Sequence, residues 1–304
     1  MTMSPTELRP DSVDRGGISQ NRIWQWALLG LAALFTVSIV VDITGETGLS
    51  SSGQYGAALR LAMPIMLAGL GGLFSERAGI VNIGLEGMMI AGTWFGAWAG
   101  WQFNPWAGVV VGMLGGAIFG LIHAVATVTF AVDHIVSGVA INILALGGMR
   151  FLSQIAYDDV PGAGITQSPR TDPIGFFSIP ILAGGNVLGW ESPDALGWLE
   201  DQGWLLISEI AAMLRGLTSN VSWLTLIALL LVPLTWWLLW RTAWGLRLRS
   251  CGENPYAAES LGVNVLRMKY YGVMISGALA GLGGAYLVLV QAGIYREAQV
   301  AGRG

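Results

Sequence analysis

Two short stretches hold residue types that an otherwise apolar chain has no ordinary use for. The first, residues 68–89, reads AGLGGLFSERAGIVNIGLEGMM and places Glu76, Arg77, Asn82 and Glu86 among six glycines. Each glycine in a helix costs roughly 1 kcal/mol against alanine, so a plain core helix would not carry so many. A carboxylate at bilayer depth is expensive and is found inside a bundle or along a water-filled path. Glycines beside it let helices approach closely or break locally. Asn82 and Glu86 are four apart and share one face if the segment is helical. Such donors and acceptors suit a solute rich in hydroxyl or amide groups. The alternative is that Glu86 pairs with a neighbouring helix or caps a broken one, and that Glu76 and Arg77 anchor an interface.

The second stretch, residues 245–263, reads GLRLRSCGENPYAAESLGV. Asn254 fits a helix N-cap, Pro255 the first helical position and Gly262 the stop. The pattern predicts a two-turn helix over 255–261, small-faced through Ala257 and Ala258, with Tyr256 able to plug a pocket. A short capped helix at one end of a transporter gives a partner protein something to push against.

The elements that must position these stretches are membrane spans. Of 304 residues, 54% are hydrophobic and only 11% charged, and mean hydropathy is +0.61. That places the chain in a bilayer. The single cysteine, Cys251, and the two histidines, His123 and His134, exclude a disulfide framework and leave little for a metal centre or catalytic triad. No phosphate-binding loop is present, so ATP hydrolysis by that route is not expected here.

The fold expected is an all-α polytopic bundle of about seven spans with broken, Gly-rich helices. Residues 1–22 read as a disordered cytoplasmic tail and 23–304 as the transmembrane domain. The spans fall at 23–41, 61–75, 79–101, 106–132, 135–149, 216–240 and 270–295, with Arg150 bounding the fifth. Residues 154–220 hold five prolines and eight acids, and read as an extracytoplasmic insert with a short surface-lying helix at 204–214. Residues 241–269 carry Arg241, Arg247, Arg249, Arg267 and Lys269 against two acids and read as a cytoplasmic loop. Counted from a cytoplasmic N-terminus, span parity and the positive-inside rule agree. Ala-Gly-Leu-Gly-Gly occurs at 68–72 and again at 280–284, a recurrence expected of internal repeats or of glycine abundance. The chain stops right after the seventh span, and it is expected to be an incomplete permease.

The segment 74–87, the loop 252–263, the run ISGALAGLGGA at 275–285 and the run IVSGVAIN at 135–142 resemble the permease subunits of ABC importers. The group is the one handling branched-chain amino acids, simple sugars and nucleosides, and the first segment is most similar to its nucleoside and simple-sugar branch. The resemblance implies a translocation path, for which Asn82, Glu86 and Asn142 are candidates. It implies an ATPase-coupling helix, carried over onto Gly252, Glu253, Asn254, Pro255, Ala257, Ala258 and Gly262. It also implies partners: an ABC ATPase subunit that holds the ATP, a second homologous permease and an extracytoplasmic substrate-binding protein, in a bacterial or archaeal plasma (inner) membrane. No cofactor, no metal, no nucleic acid and no reaction on the solute are expected. The competing reading is an ion-gradient-driven secondary transporter using Glu86. A membrane enzyme lacks a convergent His, Cys or Asp cluster, and a scaffold would not explain Glu86.

Overall fold

The computed structural model of the chain describes residues 20–45, 50–187, 190–204 and 206–304. The expected disordered tail lies outside the described residues except at its end, where Gln20, Asn21 and Arg22 already belong to helix α1 (Gln20–Thr44). Helices α2 (Ser52–Arg77), α3 (Leu85–Gln102), α4 (Pro105–Ala124) and α5 (His134–Tyr157) follow, with a π-helical turn, Val125–Thr129, continuing α4. Capping fixes where they start. The Asn104 side chain accepts from the Ala107 N–H with Pro105 in the first turn, and Asp133 accepts from the Ile135 and Val136 N–H groups.

The insert contributes strands β1 (Phe176–Phe177), β2 (Gly185–Val187) and β3 (Trp190–Ser192), helices α6 (Ala195–Asp201) and α7 (Ile207–Thr218), and strand β4 (Val221–Ser222). β1 pairs with β4 and β2 with β3, both antiparallel. Then come α8 (Trp223–Arg241), α9 (Ala243–Glu253), α10 (Pro255–Ser260) and α11 (Val265–Tyr286), the last extended by a π-helical turn, Leu287–Ala292. The architecture is an all-α membrane bundle. Among the described residues five helices are long and apolar enough to cross a bilayer, and α1 carries a shorter apolar stretch, Trp24–Val40.

Several boundaries move. The expected span 79–101 begins only at Leu85. The fifth span does not end at Arg150 but runs two turns further, to Tyr157. The expected sixth span 216–240 starts at Trp223, because Gly216 belongs to α7.

The centre of the bundle is α11. Of its apolar stretch 83% is buried, against 28% for α5 and for α8. It runs antiparallel to α2, as the successive approaches of Gly71 to Ser276 and Pro64 to Gly283 require. The α3–α4–α11 seam is made of glycine. A Cβ at Gly92 or Gly116 would collide with the backbone of Gly281 or Gly277. Helices in lipid gain from such close backbone approach because burial against lipid-like side chains offers no hydrophobic gain. The two Ala-Gly-Leu-Gly-Gly copies therefore lie on antiparallel neighbours, and Gly71, Gly281, Gly283 and Gly284 are all contact positions.

The helix expected at 204–214 is found as α7 and packs on the bundle. The small side of α7, Ala211, Ala212 and Gly216, is buried, and Gly216 lies against Gly56 of α2. Arg215 donates to Glu200 at 2.9 Å and to Asp194 at 2.6 Å, and Glu200 accepts the Ser52 N–H at 2.9 Å. Burial works against the Glu200 carboxylate, but the Ser52 donors and Arg215 outweigh it and hold its pKa below the ordinary value.

Candidate functional site: the break before the third helix

After Arg77 the chain turns on Gly79, which has φ +80°. The Gly79 N–H bonds Glu76 O at 2.9 Å and the Ile80 N–H bonds Ser75 O at 3.0 Å, so the last carbonyls of α2 are satisfied. Residues 80–84 then run back into the bundle without helix. Asn82 is buried and donates to Ser276 Oγ of α11 at 2.8 Å. Ser276 lies eleven residues into α11, so this contact is about 16 Å from the Val265 end. Helix α3 thus begins within the bundle rather than at its edge.

Asn82 and Glu86 do not share a helix face: Asn82 precedes the helix, and Glu86 is in its first turn. The spacing argument failed because Gly79 and Gly84 stop the helix that it assumed. Asn82 instead folds the turn, its Oδ1 accepting the Gly84 N–H at 3.0 Å. Asn142 reaches across from α5. Its Oδ1 accepts the Gly87 N–H at 2.7 Å and its Nδ2 donates to Ile83 O at 3.2 Å. Asn82 and Asn142 therefore spend their amides on the start of α3, satisfying N–H groups that a buried helix end would otherwise leave orphaned.

Glu86 is half-buried at the positive end of α3, where a carboxylate is electrostatically favoured. Its Oε1 accepts the Gly302 N–H at 2.8 Å. That donor belongs to a second returning segment. After α11 the chain turns on Gly293, φ +67°, and residues 294–304 come back beside α3 and α5. Glu297 of this segment lies 3.8 Å from Arg150 of α5.

Ser276, His123 and His134, to which the sequence reading gave no role, help to hold the site, and Arg150 of α5 stands beside the returning segment. His123 Nδ1 bonds Ser137 Oγ at 2.8 Å, and His134 Nδ1 accepts the Val81 N–H at 3.3 Å. Their partners lie 14 and 53 residues away, beyond one helix, so no local pattern reveals them. Arg150 was readable as an intramembrane charge but was taken for a helix end.

The stretch 245–263 forms the helix pair α9–α10. The Asn254 side chain accepts the Ala257 N–H, Pro255 stands in the first turn and Gly262, at φ +81°, follows the end, as the capping pattern predicts. Gly252 packs on the turn at Gly79, where a Cβ would come within 2.9 Å of the Gly79 nitrogen. Arg77 and Arg249 lie over the Trp240 ring at 5.7 and 5.8 Å. Ala257 and Ala258 do not form one outward face. Ala258 is buried in a cluster with Phe74, Leu248, Cys251 and Met268, while Ala257 is exposed and Tyr256 and Leu261 are each 84% exposed. In a two-turn helix adjacent residues diverge by about 100°, so an alanine pair cannot present both methyls to one partner. Cys251 is also fully buried, and burial pushes its thiol pKa up.

Residues 54–301 match the profile of a family described as the permease component of branched-chain amino acid transport systems. A guanosine ABC transporter permease protein of Bacillus subtilis is 37% identical over 82% of this chain and 70% of its own length. A nucleoside ABC transporter permease protein of Lactococcus lactis is 35% identical over 79% of this chain and 68% of its own. A putative glucose ABC transporter permease protein of Haloferax volcanii is 31% identical over 84% of this chain and 68% of its own. No solved structure matches.

Proposed function

This chain belongs to the family of branched-chain amino acid transport permease components, and we propose that it is the membrane-spanning subunit of an ATP-driven nucleoside importer. One observation carries the reading: α3 starts inside the bundle, with the Glu86 carboxylate in its first turn and Asn142 across from it. A helix that starts at bilayer depth is where transporter folds bind their solutes. The names of the guanosine and nucleoside permeases support a nucleoside; the glucose permease supports a simple sugar as the second reading. The chain itself holds no ATP and no cofactor. ATP is bound by a separate ABC ATPase subunit, and the importer includes a second homologous permease and an extracytoplasmic binding protein. Its place is the plasma membrane of a bacterium or archaeon, with the N-terminus and α9–α10 cytoplasmic and the insert outside.

In this arrangement α10 is the coupling helix. Tyr256, Ala257 and Leu261 meet the ATPase, Asn254, Pro255 and Gly262 fix the helix ends, Glu253 stands at its approach, and Gly252 and Ala258 seat it on the turn at Gly79. Ala257→Arg should abolish uptake with the subunit still in the membrane, whereas Ala258→Arg should unseat α10 altogether. The orientation is checked with Tyr256→Cys, because Cys251 is buried. A membrane-impermeant thiol reagent should label this variant only after permeabilisation.

The function is tested by uptake of radiolabelled guanosine, uridine, glucose and leucine into proteoliposomes holding the complex from its native membrane. Nucleoside uptake should require internal-side ATP and persist with an uncoupler. Uptake that collapses with the uncoupler at constant ATP would establish the ion-driven reading instead.

A further inference from the structure

Arg150 sits where a membrane helix has no use for a structural arginine. It lies sixteen residues into α5, about 24 Å from the His134 end of a helix that continues to Tyr157. Its side chain is 61% exposed on a helix whose outward residues are mostly apolar, such as Ile143 at 67% and Phe151 at 62%, with the exposed Gln154 one turn further on. Its partner, Glu297, is 3.8 Å away, beyond hydrogen-bond reach. Among the described residues Arg150 makes no hydrogen bond, so all five N–H donors of its planar fork are unspent. A charge in lipid would be costly, so this one faces a water-filled path or another protein surface.

The surroundings favour the path. Glu297 belongs to the returning segment whose Gly302 N–H bonds Glu86. On the same segment Gln299 Nε2 is buried and has no partner. Asn142, on the α5 stretch below Arg150, holds the start of α3. Glu86 of α3, Arg150 of α5, and Glu297 with the unpaired Gln299 Nε2 on the returning segment therefore form a lane of polar side chains with Glu86 at its inner end.

We propose that Arg150 is a specificity-determining residue of the translocation path, donating to acceptor atoms of a neutral, flat-ringed solute whose hydroxyls face Glu86. The proposal rests on the nucleoside reading above and deepens it. Guanidinium donors match the carbonyl oxygen and ring nitrogen on one edge of a base, and carboxylates accept from ribose hydroxyls. Glu86 and Glu297 outnumber Arg150, so the lane repels a phosphorylated solute in a medium where charges interact strongly. The class admitted is the nucleoside, not the nucleotide.

The test uses the whole complex from its native membrane in proteoliposomes, driven by guanosine-loaded binding protein. Guanosine carried per ATP hydrolysed is the readout, because a merely structural pair would not change that ratio in a complex that still cycles. Arg150→Gln should lower it about tenfold with stimulated ATP hydrolysis held within about twofold. The charge-exchanged double variant, Arg150→Glu with Glu297→Arg, should stay as low, since the donor fork has left α5. Recovery in the double variant would show that the pair is only a strap and would overturn the proposal. So would an unchanged ratio in Arg150→Gln. Loss of the ATPase or second permease on purification of Arg150→Gln would overturn it too, by placing the cation at a subunit interface. If the wild type carries glucose and not guanosine, the nucleoside reading fails. The same ratio measured with glucose then decides whether Arg150 touches the solute.

Discussion

Among the described residues, two long helices end in a left-handed glycine after which the chain turns back inside. At one, α2 is followed by Ala78, Gly79 and Ile80; at the other, α11 and its π turn end in Ala292, followed by Gly293 and Ile294. Each helix carries Ala-Gly-Leu-Gly-Gly ahead of its turn, at 68–72 and 280–284. Because α2 and α11 are antiparallel, the turns lie at opposite ends of the bundle. The second interval is two residues longer, and the π-helical turn Leu287–Ala292 falls within it. π turns arise from residues inserted into a helix and are frequent at functional sites. The two copies thus run in opposite directions, as the halves of an inverted repeat do. The regions differ in how their polar groups are spent. Asn82, Asn142 and Ser276 saturate the first return. The second leaves Gln299 Nε2 unpaired and Glu297 in a long, half-exposed ion pair. A saturated network fixes geometry, and an unsaturated one leaves groups for a solute.

Breaking the saturated side should cost most. Asn82→Leu removes a buried amide and strands the Gly84 N–H and the Ser276 hydroxyl. Each stranded group costs about 1–3 kcal/mol, so the complex should melt well below wild type and purify poorly. The matching change on the other side, Gln299→Leu, removes no bond from its Nε2 and only the exposed Arg296 N–H bond to its Oε1, so it should lower the melting temperature far less. Equal loss in the two variants, read by thermal unfolding in detergent, would erase the contrast.

Glu86 is where the returns meet, and its variant separates passage from packing. Glu86→Gln keeps the volume and one acceptor for the Gly302 N–H but removes the charge. Uptake should fall about tenfold, equivalent to roughly 1.4 kcal/mol, with subunit assembly unchanged. Normal uptake would leave the charge without a role, and failed assembly would assign Glu86 to the saturated, structural side.

Much of this was legible from residue order, for reasons that also mark the limits. Apolar runs and cap signals are local, so α4 from Asn104-Pro105, α10 from Asn254-Pro255 and the exceptional character of Glu86 could be read directly. The span limits failed where one residue had two readings. Arg150 looked like a helix end because charge usually is, yet a path lets a helix carry it. Gly79 and Gly84 could either pack or break a helix, and the break they make removed the shared face of Asn82 and Glu86. The Ala257–Ala258 pair looked like one face because facing depends on what α10 packs against, and Phe74 and Met268 are far away in the chain. Likewise nothing near Asn142 announces that its amide serves Gly87, fifty-five residues earlier.

The smallest effects should come from the two turn glycines, and they test whether the turns themselves differ. An alanine in the left-handed conformation costs about 1–2 kcal/mol, and Gly79→Ala and Gly293→Ala both incur it. Their neighbours are unlike. A Cβ at Gly79 would lie 3.0 Å from the Gly252 Cα, while at Gly293 the nearest atom is Thr171 O at 3.9 Å. Gly252 is backbone at the foot of α10, so it yields only if α9 and α10 shift with it. Gly79→Ala should therefore lower the melting temperature more than Gly293→Ala and also uncouple ATP hydrolysis from uptake. Gly293→Ala should show the backbone strain alone, with coupling intact, because the added Cβ meets no close neighbour even though the Gly293 carbonyl accepts the Thr171 N–H at 2.8 Å. Equal destabilisation of the two variants, with coupling lost in both, would mean that a substitution at the second turn is felt as strongly as at the first, and the contrast between the turns would fail.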